Sequence, residues 1–387
     1  MESKLKDFYD VVVIGGGPAG SACALALHGA GLSVAIADKE VFPRDKVCGD
    51  AIPGPTFKTM DKISAEWGKS LREFAHKEEI RTSRCYVPNG KSFAINWKAY
   101  SYNSPRLNFD NFLMNLVRTE TKTEIFENKR LKELVVEKDF VLCKFLDNSS
   151  CKAKMVIGAD GANSVVKRYV PLSQSSKKYT CAAVRLYAEN VSDLEPATNE
   201  FYYLKNYLPG YLWIFPLKNG GVNIGFGLQF KDDKKAEKTN LRETLLHIIE
   251  NEPLIKHRFT NMKFLDDVKG FGLPMFDGER IISNDRILLC GDAASLIDPL
   301  MGHGIDKAFI SGYLAAQQIE RCIQSNDFSK SFLAQYDRAV YSKVGKDLKR
   351  SKFILQLVNK SPRVINTFAR IAQNKKLLNW LVKVSKV

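Results

Sequence analysis

The 387-residue sequence contains no C-x-x-C, and none of its five histidines stands at metal-ligand spacing. Its eight cysteines (Cys23, Cys48, Cys85, Cys143, Cys151, Cys181, Cys290 and Cys322) are scattered. A zinc module and a paired-thiol redox motif are therefore excluded, and no metal site is expected. Most of these thiols should be small buried apolar groups in a reducing compartment. Long apolar runs are also missing: none approaches the roughly 20 residues needed to cross a bilayer. The stretch Met1 to Asp10 is polar and charged, without the apolar core of a signal peptide. A cytoplasmic protein is expected, with peripheral contact at the inner membrane face as an option. There is no internal repeat and no low-complexity segment.

Acidic residues stop at Asp347. Beyond it the chain carries ten Lys and Arg, among them Lys349, Arg350, Lys375, Lys376, Lys383 and Lys386, about two thirds of a net charge of +15. Apolar residues such as Phe353, Leu357, Leu377, Trp380, Leu381 and Val384 interrupt that run at roughly helical spacing. The combination favours an anionic membrane surface or a packed helix over nucleic acid.

What the chain has is concentrated at its start. With 45% hydrophobic residues it can build a sizeable core. Val11 to Ile14 is a short β-branched run that reads as a buried parallel strand. Gly15, Gly17 and Gly20 then fit G-x-G-x-x-G. The first glycine permits a tight turn, the second lets a pyrophosphate reach the backbone, and the third lets the following helix pack on the strand. Pro18 suits the first turn of that helix, expected over Ser21 to Ala30, whose amides can face a diphosphate. A second strand, Ser33 to Ala37, ends on Asp38, placed to take ribose hydroxyls.

The next loop, Phe42 to Asp50, brings Arg44, Lys46 and Cys48 close behind that ribose site. Ser64 to Glu79 reads as helical, and Pro88-Asn89-Gly90 marks a hairpin. Arg106 opens a helix running to about Thr119. Two further buried strands end on acids beside glycine: Ala153 to Asp160 with Gly161, and Arg286 to Cys290 with Gly291-Asp292. Between them lie strands rich in aromatics. In one, Tyr211, Trp213 and Phe215 alternate and so share a face. That face either packs on its own core or forms an aromatic wall for a long apolar ligand.

These motifs together resemble the para-hydroxybenzoate hydroxylase-like flavoproteins and, within them, the geranylgeranyl reductase family. The resemblance covers about residues 8 to 325. It rests on the three glycines, Pro43-Arg44-Asp45-Lys46-Val47-Cys48-Gly49-Asp50, Arg106 with Phe109-Asp110, Gly158 to Ser164, Tyr211 to Pro216, Gly291 to Ala294, and Gly302-His303-Gly304-Ile305. Leu208, where the family often has Pro, and His303, where it often has Glu, depart from the pattern.

The resemblance implies an α/β fold: a Rossmann-like FAD-binding domain with an inserted antiparallel β-rich substrate domain and a C-terminal helical segment. The expected parts are 1–80, 103–178 and 273–325 for FAD, 81–102 and 179–272 for substrate, and a basic helical segment at 326–387. FAD should meet Gly15, Gly17, Pro18, Ala19, Gly20, Asp38, Lys39, Arg44, Cys48, Gly49, Arg106, Asp160, Gly161, Asp292, Gly302, Gly304 and Ile305. The implied activity is reduction of carbon–carbon double bonds in a polyprenyl lipid. Tyr211, Trp213 and Phe215 would hold the lipid, and Cys48 is the candidate proton donor. No second dinucleotide motif is visible, so the electron donor is either NADPH bound transiently or a small reduced carrier protein. The alternative on the same fold is an FAD monooxygenase or halogenase. The halogenase G-W-x-W-x-I-P overlaps Gly210 to Pro216, but Tyr211 and Phe215 replace two of its residues.

Overall fold

The computed structural model describes residues 5–170, 181–230 and 239–360. Two sheets organise them. The eight-stranded sheet is built around Phe8–Ile14, flanked by parallel Val34–Ala37 on one side and parallel Ser150–Gly158 on the other. Glu124–Phe126 and Ile287–Leu289 extend it in parallel. The register sets Ile14 beside Ala37 and Gly158, and Gly158 beside Leu289. Four strands therefore finish together, and their carboxyl ends form the crevice where open α/β sheets take ligands.

The near-continuous Tyr9 to Ile14 run is buried because helices cover the sheet: Pro18–Ala26 packs against Ile305–Ser325 within one large core. The first helix starts at Pro18, earlier than the Ser21 expected, and ends at Ala26. Proline needs no amide partner at the first helical position, and Gly29 (φ 81°) turns the chain out. Gly20 sits where a Cβ would lie 1.9 Å from the Gly15 carbonyl oxygen, so helix and strand meet backbone to backbone. The stretch Ser64 to Glu79 divides. Ser64 caps a helix Ala65–Glu73, and Glu78 already begins a strand.

The nine-stranded sheet is largely antiparallel and includes the hairpin Glu78–Tyr86 with Ser92–Asn103. At its centre, Tyr211–Pro216 pairs with Val222–Gln229, which pairs with Cys181–Glu189. Leu212 and Ile214 point into a core shared with helix Leu241–Asn251. The alternate residues face the first sheet's crevice.

Helix Lys330–Lys360 is 31 residues long and so about 46 Å. It buries Leu333, Tyr336, Val340, Val344 and Leu348 at 3- and 4-residue spacing along the first sheet's layer, and Val358 against Val87 of the second. No described helix is long and apolar enough to cross a membrane. The charged stretch Lys231 to Lys238 and the basic tail beyond Lys360, with Lys375, Trp380 and Lys386, lie outside the described residues.

Candidate functional site

Gly15 occupies φ +103°, and a Cβ there would sit 2.4 Å from the Ala159 carbonyl oxygen, so only glycine makes this turn between two strands. The chain then enters helix Pro18–Ala26 with no side-chain cap and no acid in its first turn. Its first amides are thus left as donors for an outside anion. Asp38 is buried beside this turn. Its Oδ2 accepts from the Gly16 amide at 2.6 Å and its Oδ1 from the Glu40 amide at 2.9 Å.

The loop after Asp38 folds back over the turn. Arg44 reaches Asp110 at 3.0 Å, and Arg106 holds the same carboxylate by two bonds, Nε at 2.7 Å and Nη2 at 2.6 Å. Burial alone would raise the Asp110 carboxyl. The charges of Arg106 and Arg44 outweigh it and hold the group below the ordinary carboxylate range. Lys46 bonds Asp292 at 3.0 Å, tying the loop to the third strand-end acid, and Gly304 lies beside that acid. Gly302, Gly304 and Ile305 form the turn into helix Ile305–Ser325. There His303 and Lys307 both face the buried Asp306, which they draw well below its usual range against burial.

Cys48 lies at the centre of these contacts. It is the one half-buried cysteine; the other seven are buried. Burial pushes its thiol up, against the pull of the Arg106 guanidinium, so it holds its proton at neutral pH. Asp50, two residues on, is fully buried. Its Oδ2 accepts from Tyr187 Oη at 2.7 Å and from Asn223 Nδ2 at 2.8 Å. Burial raises it to about 7; the two hydrogen bonds and the charges of Arg185 and Arg106 pull the other way.

Tyr211, Trp213 and Phe215 share the face turned to this loop. A Cβ on Gly49 would come within 3.2 Å of the Phe215 ring, and Tyr211 Oη donates to the Met301 carbonyl at 2.7 Å. The aromatic face is therefore packed against both the Cys48 loop and the 301–304 turn.

Two expected residues have their side chains engaged elsewhere. Lys39 is exposed, its ammonium 3.6 Å from Glu40. The Asp160 carboxylate is engaged by its own turn, accepting from Ser164 Oγ at 2.5 Å and the Val165 amide at 2.6 Å. Beside it the Gly161 backbone (φ 75°) has nothing within 4 Å of its Cα substituent position.

Several residues here fall outside the motifs that the sequence offers. Arg185 is fully buried, holds Asp45 at 2.6 and 2.7 Å, and lies 3.9 Å over the Tyr187 ring. Asn223 and Tyr187, the two side-chain partners of Asp50, likewise belong to no motif. The alternation Asn223, Gly225, Gly227 of small or polar residues along one strand face was the available clue. No group of metal-ligating side chains occurs among the described residues.

Comparison with known proteins bears on the family and the fold. The model of a family described as FAD binding domain matches residues 8–340. The chain is 30% identical over 361 residues to a digeranylgeranylglycerophospholipid reductase of Methanosarcina acetivorans, covering 90% of this chain and 84% of that one. It is 30% identical over 352 residues to the protein of the same name from Methanocaldococcus jannaschii, covering 87% and 83%. A solved geranylgeranyl bacteriochlorophyll reductase-like protein of Thermoplasma acidophilum superposes with a TM-score of 0.81 at 24% identity, covering 97% and 96%. A flavin-dependent brominase superposes at 0.77 with 20% identity, covering 98% and 93%. At these identities the two structures speak for the fold alone.

Proposed function

The chain belongs to the geranylgeranyl reductase family of FAD-binding flavoproteins, and from that premise we propose that it reduces carbon–carbon double bonds of a polyprenyl lipid. The observation that carries the proposal is the aromatic face of Tyr211, Trp213 and Phe215, laid directly on the Cys48-Gly49 loop at the strand ends.

FAD fits the residues present. The uncapped amides of the Gly15–Gly17 turn and of helix Pro18–Ala26 match a diphosphate, and Asp38 stands at the adjoining strand end for a ribose. Arg44, Arg106 and Asp292 border the same crevice. When bound and reduced, FAD supplies the hydride.

The chain's own residues do the rest. An isolated alkene has no charge to grip, so its affinity comes from apolar burial, at about 0.8 kcal/mol per methylene. Tyr211, Trp213 and Phe215 offer that surface and orient the chain. Packed on the Cys48 loop, these rings would keep water from a bond held there. Cys48 holds a proton at Sγ for the second alkene carbon.

The test is anaerobic. Dithionite-reduced holoprotein is incubated with extracted prenyl lipids, and mass spectrometry should show gains of two hydrogens per reduced bond. Stoichiometric oxygen use with a hydroxylated or halogenated product would overturn the reading in favour of the monooxygenase alternative.

The basic segment after Asp347 suits an anionic lipid surface that carries such a substrate. Its described part includes Phe353, 59% exposed, on helix Lys330–Lys360. Co-sedimentation with anionic vesicles should exceed that with neutral ones and weaken with salt. Equal recovery with both at low salt would reject membrane contact.

A further inference from the structure

Asn223 is fully buried where the two sheets meet, and its side-chain amide has three partners. Its Oδ1 accepts from Trp213 Nε1 at 2.9 Å. Its Nδ2 donates to the Cys48 carbonyl at 2.8 Å and to Asp50 Oδ2 at 2.8 Å. The indole can only donate and the carbonyl can only accept, so the network itself determines which end of the amide is which. No other side chain of this size offers one acceptor and two donors in one plane.

The sheet register makes the arrangement possible. Trp213 stands opposite Gly225, where a Cβ would lie 2.0 Å from the indole ring. The indole therefore lies flat across the neighbouring strand, and its nitrogen reaches two residues along, to Asn223. One amide thus joins the aromatic wall, the backbone of Cys48 and the carboxylate of Asp50.

We propose that Asn223 is the positioning residue that ties the aromatic wall to the Cys48 loop, so that a ligand seated against Trp213 is registered at Cys48. The proposal rests on the polyprenyl-reductase reading for its purpose, but the linkage itself is a property of the protein alone.

The groups facing this junction are few. Asp50 and Cys48 come from the loop, with Asp45 and Lys46 before them. Arg106, paired with Asp110, comes from the helix Arg106–Glu120, and Tyr187 and Arg185 come from the strand Cys181–Glu189. Asn223→Asp places a second carboxylate against Asp50 Oδ2 and the Cys48 carbonyl. It breaks the linkage when ionised and can restore one donor when protonated. Asn223→Ala breaks it at every pH. With that donor gone, the Asp50 carboxyl rises further.

Reaction of Cys48 with dithiodipyridine, a disulfide reagent that stays thiol-reactive in acid, reads the linkage directly, because the other seven cysteines are buried. The holoprotein is labelled across pH 5 to 8.5 and Cys48 occupancy is followed by peptide mass. We expect Asn223→Ala to change the rate at least threefold throughout. Asn223→Asp should depart from the parent by as much at pH 8 and return toward it at pH 5. Rates and pH profiles within 1.5-fold of the parent for both would overturn the proposal.

If both variants lose FAD or fail to fold, Trp213→Phe decides. It removes the indole N–H together with the five-membered ring, leaves both Asn223 Nδ2 bonds in place, and should shift Cys48 labelling in the same direction as Asn223→Ala; an unshifted rate overturns the proposal. No reduction enters this readout. Failure of the lipid assay with altered labelling would sink the functional reading, and unaltered labelling with an active enzyme would sink this one.

Discussion

Asp110→Ala is expected to cost about 3–5 kcal/mol of stability, the range for removing one partner of a buried ion pair. Asp110 is fully buried, and Arg106 is only 3% exposed. The carboxylate answers two guanidinium groups, so its loss leaves the Arg106 charge in the interior without its paired carboxylate and Arg44 without its ion pair. The same clamp holds the Cys48 loop over the glycine turn, so flavin retention should fall with stability.

Urea unfolding of the parent and variant measures the first effect, and bound-flavin absorbance the second. A loss below about 1 kcal/mol would show that the pair is not worth its burial. The pH dependence has a definite sign. The folded carboxyl lies below its unfolded value of about 3.9. Its contribution is therefore complete above that value and disappears as pH falls through the lower folded one. The parent should lose its advantage over Asp110→Ala only in acid, and the two should run parallel from pH 5 upward.

Cys48→Ser is expected to keep FAD and lose at least tenfold in turnover. A positioned general acid contributes about 10²–10⁴-fold. The thiol holds its proton because burial outweighs the Arg106 charge beside it. A serine hydroxyl fills a similar space but gives up its proton far less readily. The decisive measurement is anaerobic single-turnover reoxidation of the reduced flavin by a prenyl substrate. An unchanged rate would show that Cys48 only shapes the loop. Loss of flavin from the variant would show that it belongs to the cofactor's support instead.

The two substitutions probe residues of unequal legibility. Cys48 stood out in the sequence because a thiol in a Pro- and Gly-bounded loop behind a ribose site has little structural reason to be there. Asp110 stood out only as part of a motif. That it would be gripped by two arginines, one four residues away on its own helix and one from a loop far earlier in the chain, depends on how that loop folds back.

The helix boundaries show the same division on a smaller scale. Leu241–Asn251 follows from local pattern and the Asn240 cap. The Pro88-Asn89-Gly90 turn marks the hairpin locally, but the point between Glu73 and Glu78 where helix gives way to strand follows from pairing with Ser92–Asn103.

By itself, the sequence determined whatever depends on residues within one turn or one strand of each other. Strand, glycine turn, helix, strand and acid are set by hard-sphere limits at Gly15 and by backbone contact at Gly20. The shared face of Tyr211, Trp213 and Phe215 is set by the two-residue period of a strand. Tertiary structure alone decided what that face meets. Asn223 lies 175 positions from Cys48 and 173 from Asp50, and the three come together because the second sheet turns the face of Tyr211, Trp213 and Phe215 to the Cys48 loop. Buried polar groups must find partners wherever the fold brings them, and the choice of partner is a property of packing distance, which a linear pattern does not carry.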